Sequence, residues 1–227
     1  MLQPAKDRAM IDYAKARHTM VHSQIRPNDV TDHRIQDAMA ELPRELFVPK
    51  SERAKAYADA EVRLSEDRVM LTPMHLAKLV HAADIRSTDV VLDIACGRGY
   101  SCALISRLAE TVVGLEQEGL GFADKAGDRL GEVGADNAVV VEGDLKAGAP
   151  GQGPFNVIIV GGAVSATPSA WFEQLAENGR LAVIERDGPV GRARIYTKAK
   201  GAVGERSVFD ANASFLPGFE PEPGFVF

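Results

Sequence analysis

The sequence predicts an α/β protein built on a doubly wound, mostly parallel sheet, and two observations lead to that prediction. Short β-branched apolar runs alternate with helical segments across residues 75–185, a pattern that builds parallel sheets with right-handed crossovers. A glycine-containing turn directly follows the first run, as in sheets that bind nucleotides. Ligands of such sheets lie outside the carboxyl ends of the strands. We therefore expect the chemistry in the turns that follow Ile94, Leu115, Val141 and Val160.

Seven strands are expected, and five of them lie in the alternating region. These five are short apolar runs typical of buried parallel strands, at residues 90–95, 111–116, 138–144, 155–162 and 180–185. Two further strands are expected in ARIYTKA and RSVFDAN, residues 193–199 and 206–212. Helices are expected between the strands, at residues 74–83, 101–109, 120–133 and 169–179. Gly179 is expected to close the last helix, since glycine readily adopts the left-handed conformation of a helix end.

The residues before the alternating region are expected to form an N-terminal helical and loop extension, residues 1–72, packed on a core domain of residues 73–227. Helical periodicity occurs at about residues 5–20 and 33–42. Asp29 or Thr31 is expected to cap the second helix, because their side-chain oxygens accept free amide protons. Pro43 is expected to end that helix. The segment from Glu45 to Leu71 has no clear period and is expected to form loop and short elements over the domain.

Composition narrows the class of function. The net charge of −6 is dispersed along the chain, which gives no clustered basic face for nucleic acid. No run reaches the roughly 18 apolar residues of a membrane span, and the first twenty residues lack a signal-peptide core. The two cysteines, Cys96 and Cys102, are expected to be reduced thiols of a cytoplasmic protein. The five histidines show no ligand spacing, so we expect no metal, and the sequence leaves the oligomeric state open.

Acidic and glycine residues occupy the predicted carboxyl ends of three neighbouring strands. The first turn contains Gly97 and Gly99, which let the backbone turn sharply and approach a ligand. Glu116 ends the next strand, where an acid can bind both hydroxyls of a ribose. Asp144 ends the third, within reach of an adenine amino group. Alone, the glycine turn is equally typical of a tight turn without ligand, and an acid such as Glu116 at a strand end is most often solvated; the combination indicates a nucleoside site.

The pattern D-x-x-x-G-x-G followed by an acid resembles the S-adenosylmethionine motif of class I methyltransferases, which have a Rossmann-like fold. A dinucleotide-binding fold normally keeps G-x-G-x-x-G, and here Cys102 stands at the position of the last glycine. The resemblance implies S-adenosyl-L-methionine as the cofactor. The residues expected to bind it are Asp93, Cys96, Gly97, Gly99, Glu116, Gln117, Asp144 and Leu145.

A narrower resemblance covers about residues 20–185. MVHSQIRPNDVTDHRIQDAMAELPRELFVP, residues 20–49, is similar to the N-terminal region of protein-L-isoaspartate O-methyltransferases. Tyr57-Ala-Asp59 resembles the family's "Y-x-D", and PFNVIIVGGA followed by WFEQLAENGRLAVI resembles its later strand and helix. The resemblance implies methyl transfer to a protein or peptide carboxylate, as in isoaspartyl repair. A paralogue that methylates a different acceptor and a catalytically silent cofactor-binding or scaffold protein are the alternatives.

The chain departs from this family at its catalytic neighbourhood, "G-x-G-Q-T-I-S-x-P-x-M-x-A". Leu71 occupies the position of the family's serine, and Ser65, Asp67 and Arg68 replace its two glycines and its glutamine. Methylation of a carboxylate needs positioning of the oxygen rather than a base, and leucine donates no hydrogen bond. Milder departures are Ala95, in place of the first glycine of the cofactor motif, and Leu145, in place of a glycine after Asp144.

Three residues remain open as substitutes for the missing serine. Thr72 is adjacent to it, although neighbouring side chains of an extended segment point to opposite faces. His75 either orients a different acceptor or is simply a polar residue on the following helix. Arg68 either holds an anionic substrate through its fork of donors or is a solvated loop arginine. The catalytic residue is therefore left unknown, with Thr72 and His75 as candidates.

Overall fold

The structure is a computed structural model that describes residues 11–222. Its α-helices are α1 Tyr13–Met20, α2 His33–Glu41, α3 Pro73–Ala82, α4 Tyr100–Ser106, α5 Phe122–Glu132 and α6 Ser169–Glu173. Its strands are β1 Val62–Arg63, β2 Val69–Met70, β3 Val90–Ile94, β4 Thr111–Glu116, β5 Ala138–Glu142, β6 Phe155–Val164, β7 Leu175–Asp187, β8 Val190–Ala199 and β9 Ala202–Asp210. Short 3-10 and π turns connect the elements before β1.

Strands β3 to β9 form one seven-stranded sheet in the order β5-β4-β3-β6-β7-β8-β9. The pairs among β5, β4, β3, β6 and β7 are parallel, and β8 and β9 add an antiparallel edge. The chain leaves β3 for β4 on one side and later returns to β6 on the other. This reversal opens a crevice at the carboxyl end of β3, where ligands of such sheets bind. The predicted doubly wound, mostly parallel α/β fold is confirmed.

The helix predicted over residues 169–179 is wrong in its second half. α6 ends at Glu173, and Leu175 already pairs with Phe155 as the first residue of β7. Leu175 is buried in the core, so packing of its side chain overrides the helical periodicity of the segment. Gly179 lies inside β7 rather than at a helix end. A Cβ there would lie 2.8 Å from the carbonyl oxygen of Ala176, which explains the need for glycine.

The expected cap of α2 is also corrected. Asp32 caps the helix by accepting from the backbone amide of Arg34, and neither Asp29 nor Thr31 does so. Asp29 instead has a φ of 62° and ends the preceding 3-10 turn. Leu42 is extended before Pro43, which confirms the expected end of the helix. Of the helix expected over residues 5–20, α1 begins at Tyr13, and residues 5–10 lie outside the described residues.

Arg44 joins two N-terminal segments to each other and contacts helix α4. Its side chain is fully buried and donates to the carbonyl oxygens of Ala56 (2.8 Å) and Leu71 (2.6 Å). Its guanidinium also lies 4.6 Å from the ring centroid of Tyr100 on α4. Buried side chains before and after residue 72 belong to one apolar core. The division into an extension of residues 1–72 and a domain of residues 73–227 remains a prediction.

The chain after β9 returns to the carboxyl end of β6. At the end of β6, the amides of Ala163 and Ser165 donate to the carbonyl oxygens of Ser214 and Phe219. The amide of Leu216 donates to the carbonyl oxygen of Ala163. Leu216 and Phe219 are buried. The C-terminal segment therefore forms a wall of the crevice.

Candidate functional site

The turn between β3 and α4 is built for close approach of the backbone. Gly97 and Gly99 have φ values of 60° and 90°, in the left-handed region. A Cβ on Gly99 would lie 3.0 Å from the Cβ of Ala126, so the turn packs tightly against α5. Ala95 is also left-handed, with a φ of 62°. That conformation costs a residue with a Cβ roughly 1–2 kcal/mol, so the turn is held in place by its surroundings.

Glu116, at the end of β4, lies at the centre of the site and is fully buried. Its carboxylate accepts from the backbone amides of Gly97 (2.7 Å) and Gln117 (2.9 Å). Both its oxygens also accept from Arg68, at 2.5 Å and 2.9 Å. Arg68 donates a further bond to the carbonyl oxygen of Ala95 (3.1 Å). All contacts of this carboxylate are thus made within the protein.

The interpretation of Arg68 as a solvated loop arginine is wrong. Its side chain is only 2% exposed, and its guanidinium is paired with Glu116 across 48 residues of sequence. The alternative, a residue that holds an anionic substrate, requires the guanidinium to leave this carboxylate. Sequence reasoning missed the pair because the two residues belong to different motifs. Only the folded hairpin of β1 and β2, residues 62–70, brings them together.

Asp93 is a second buried acid, at the end of β3. One of its oxygens, Oδ2, accepts from the thiol of Cys102 (3.1 Å). The other, Oδ1, has no hydrogen-bond partner among the described residues. Burial raises the pKa of Asp93 to about 7, although its contacts with Ser101 and Cys102 oppose the shift. An unpartnered oxygen of this kind fits the ammonium group of an amino-acid ligand.

Two cavities are each lined by one of the residues whose amide donates to Glu116, Gly97 in one and Gln117 in the other. The nucleoside-side cavity has a volume of about 390 Å³ and lies at the carboxyl ends of β4 and β5. Its lining consists of residues 143–146, Gln117, Glu118, Pro217 and Phe219. Asp144 is exposed there, while Leu145 is buried and its carbonyl oxygen accepts from the indole of Trp171 (2.9 Å). This cavity brings together three of the expected cofactor residues, Gln117, Asp144 and Leu145.

The hairpin-side cavity lies between the β1–β2 hairpin, residues 62–70, and the glycine turn. Its volume is about 20 Å³, enough for about one water molecule. Its lining consists of Leu64, residues 69–71, Leu76, residues 95–97, Ser101 and Gly161. A Cβ on Gly97 would lie 2.6 Å from Cδ1 of Leu64. The hairpin therefore closes directly over the turn that was expected to hold the cofactor.

Leu71 lies on the wall of the hairpin-side cavity, whereas Thr72 and His75 do not. The hydroxyl oxygen of Thr72 accepts from the amide of His75 (3.0 Å) and caps α3. The ring of His75 stacks on Phe209 of β9, with centroids 6.4 Å apart, and burial lowers the pKa of this histidine. Ser101 carries the one hydroxyl among the side chains that line this cavity. Its position directly after the glycine turn was a signal that sequence reasoning did not use.

The residues of the site fit S-adenosylmethionine if the hairpin moves. The open nucleoside-side cavity, the tight glycine turn and the unpartnered oxygen of Asp93 suit a nucleoside with an amino-acid tail. The obstacle is the contact between Arg68 and Glu116. Within residues 11–222, no group of three metal-ligating side chains occurs, and no helix is long and apolar enough to cross a membrane.

Comparisons with known proteins agree with this geometry. The family model "Protein-L-isoaspartate(D-aspartate) O-methyltransferase" matches residues 15–209. A protein-L-isoaspartate O-methyltransferase from Roseiflexus castenholzii is 37% identical over 182 residues, which is 80% of each chain. One from Methanoregula boonei is 38% identical over 175 residues, 77% of this chain and 78% of the other.

A solved structure supports the fold. A protein from Plasmodium falciparum, described as a beta-aspartate methyltransferase in complex with S-adenosyl-L-homocysteine, superposes with a TM-score of 0.75. It covers 88% of this chain and 97% of its own, at 18% identity. At that identity the likeness concerns the fold, and a coverage of 88% includes part of the N-terminal extension as well as the sheet.

Proposed function

Because the chain belongs to the protein-L-isoaspartate(D-aspartate) O-methyltransferase family, we propose that it methylates the free carboxylate of isoaspartyl residues in protein or peptide substrates. Membership makes it an S-adenosylmethionine-dependent methyltransferase by class. The observation that carries the proposal is the meeting of the glycine turn, Glu116 and the nucleoside-side cavity at the carboxyl ends of β3, β4 and β5.

The proposed roles follow from the chemistry of each side chain. Glu116 accepts from the ribose hydroxyls, and Leu145 packs beside the adenine, whose amino group donates to Asp144. The unpartnered oxygen of Asp93 accepts from the amino group of the cofactor's amino-acid part. Gly97 and Gly99 allow the backbone to lie against the cofactor without a Cβ in the way.

The bound cofactor supplies a methyl group on a positively charged sulfur, which leaves as a neutral thioether when a carboxylate oxygen takes the methyl. The protein therefore needs no base and has to align and desolvate the carboxylate. Leu71, Leu76 and Met70 form an apolar wall that excludes water from this oxygen. We propose that Ser101, which has the one hydroxyl on that wall, supplies the hydrogen bond of the family serine. Its single O–H lies against Asp93 in the free protein and turns to the acceptor carboxylate when the amino group of the cofactor takes its place on Asp93.

The proposed setting is the cytoplasm, with protein or peptide partners rather than nucleic acid or a membrane. Cys96 and Cys102 are both free and buried, and both sulfurs lie within 3 Å of the position of a Cβ on Gly114. Neighbouring reduced thiols favour a reducing compartment. The dispersed charge of the chain supports the absence of a nucleic-acid partner.

The test is transfer of labelled methyl from S-adenosylmethionine to an isoaspartyl peptide, with the matching aspartyl peptide as control. We expect transfer to the isoaspartyl peptide alone.

Leu71→Ser restores a hydroxyl at the family position and is expected to raise kcat/KM by about tenfold or more, the effect of one hydrogen bond to a charged group. Leu76→Ser is the matched variant, since it places a hydroxyl elsewhere on the same wall. Cofactor binding with no transfer by either the native chain or Leu71→Ser would show that the acceptor is different.

A further inference from the structure

We propose that Arg68 is an internal latch: its guanidinium occupies the place on Glu116 that the ribose hydroxyls need, so the cofactor enters only when the β1–β2 hairpin moves away. The inference rests on the proposed role of Glu116 in holding the ribose. It adds that this chain has a closed form that excludes its own cofactor.

The first argument is that the ion pair competes directly with the cofactor. Both oxygens of Glu116 accept from Arg68, at 2.5 Å and 2.9 Å, in the bidentate geometry that favours arginine–carboxylate pairs. The same carboxylate already accepts from the amides of Gly97 and Gln117. A carboxylate has about four acceptor positions, and these four bonds use them. Ribose hydroxyls can therefore bind only in place of Arg68.

The second argument is steric and does not involve the ion pair. Leu64, on the same hairpin, places its Cδ1 2.6 Å from where a Cβ on Gly97 would be. The cavity between the hairpin and the glycine turn holds about 20 Å³, whereas a methionine side chain alone is several times larger than a water molecule. Arg68 and Leu64 thus close two adjacent parts of the same binding surface.

The third argument is that the hairpin is able to move. β1 and β2 pair only with each other in the described sheets, two residues on each side, and a two-stranded hairpin is marginally stable by itself. Its turn is held by the amides of Leu64 and Ser65, which donate to the carbonyl oxygen of Arg68, while Glu66 and Asp67 are exposed. At its base, Glu61 accepts from the amide and hydroxyl of Ser214. The hairpin is therefore attached to Ser214 at its base through Glu61 and to Glu116 at its other end through Arg68.

The latch lowers the apparent affinity by the fraction of molecules that are open, since the apparent dissociation constant is the intrinsic one divided by that fraction. Removal of the guanidinium should raise the open fraction and the affinity together. Arg63 provides a matched control, because it lies on the same hairpin and is exposed.

The experiment uses S-adenosylhomocysteine and the fluorescence of Trp171, the chain's one tryptophan, which contacts Phe219 and Leu145 beside the nucleoside-side cavity. Titrations compare the native chain with Arg68→Gln and Arg63→Gln, after circular dichroism has shown that each is folded. We expect Arg68→Gln to bind about tenfold or more tightly and Arg63→Gln to bind like the native chain. In stopped flow, the observed rate for the native chain should fall with ligand concentration to a plateau, because slow opening precedes binding.

The outcomes distinguish a failure of the latch from a failure of the proposed function. Equal affinity of Arg68→Gln and the native chain overturns the latch and leaves the cofactor assignment intact. Absence of binding by both folded proteins overturns the latch and the proposed function together. If Arg68→Gln does not fold, the native chain decides: a rate that falls to a plateau as ligand concentration rises supports the latch, and a rate that rises with ligand concentration overturns it.

Discussion

The two sides of the site differ in how much of a binding surface they leave open. On the nucleoside side, Asp144 and Gln117 border a cavity of about 390 Å³. On the hairpin side, Leu64 and Leu71 border one of about 20 Å³. The nucleoside side lies on the carboxyl ends of strands, whose backbone is held by the sheet. The hairpin side depends on two short strands outside the sheet. The difference indicates that cofactor recognition is built into the fold, whereas access to the reacting end is set by a separate element.

The largest expected effect comes from Glu116→Ala, which removes the group shared by both sides. It leaves the buried guanidinium of Arg68 without its partner, and breaking a buried pair in this way costs about 3–5 kcal/mol. We expect a free energy of unfolding lower by about that amount in urea titrations, and loss of S-adenosylhomocysteine binding by calorimetry. Glu142→Ala, at the exposed end of β5, is the control and should change neither. Binding that survives Glu116→Ala would remove this residue from the cofactor site.

The second effect concerns Asp93 and the pH dependence of stability. Its pKa is about 7 in the folded protein against an ordinary value of 3.8, so between these values the folded state holds a proton that the unfolded state has lost. Stability from this group is therefore complete below about pH 4, declines as the pH rises from 4 to 7, and is lost above the folded pKa. Loss of this contribution across the whole range lowers the free energy of unfolding by roughly 4 kcal/mol.

Asp93→Asn removes this titration and should flatten the curve. We expect urea titrations from pH 5 to 8.5 to show a native stability that falls by about 1 kcal/mol per pH unit or slightly more up to pH 7, with a clearly smaller slope in Asp93→Asn. The variant should be more stable than the native chain at pH 8 and should bind S-adenosylhomocysteine more weakly, because an amide does not balance an ammonium charge. Asp136→Asn, at an exposed position, is the control. Parallel curves for native chain and Asp93→Asn would contradict the assignment.

The contrast between the two sides also separates the features that could be predicted from the sequence from those that could not. The parallel strands and their terminal acids were predictable, because β-branched runs and turn residues are local signals. Glu116 was thus placed correctly at a strand end. Its partner was not predictable, because Arg68 is 48 residues away and reaches it only through the folded hairpin. The same limit produced the error at residues 175–179, where pairing with Phe155 outweighs a helical pattern. Local patterns describe the sheet well and long-range contacts poorly.

The smallest expected effect tests how the glycine turn tolerates Ala95. Glycine at this position relieves the left-handed strain, worth roughly 1–2 kcal/mol. Against this, glycine adds about 0.4–1 kcal/mol of unfolded-state entropy, and loss of a buried methyl removes about 0.8 kcal/mol. The terms nearly cancel, so Ala95→Gly should change the free energy of unfolding by less than about 1 kcal/mol.

Lys200→Gly isolates the strain, because Lys200 has a φ of 52° and an exposed side chain, and it should be stabilising. If Ala95→Gly instead destabilises the protein by more than about 2 kcal/mol, the methyl group packs against its neighbours more strongly than burial alone accounts for. The turn would then be a site where this chain has exchanged backbone freedom for packing.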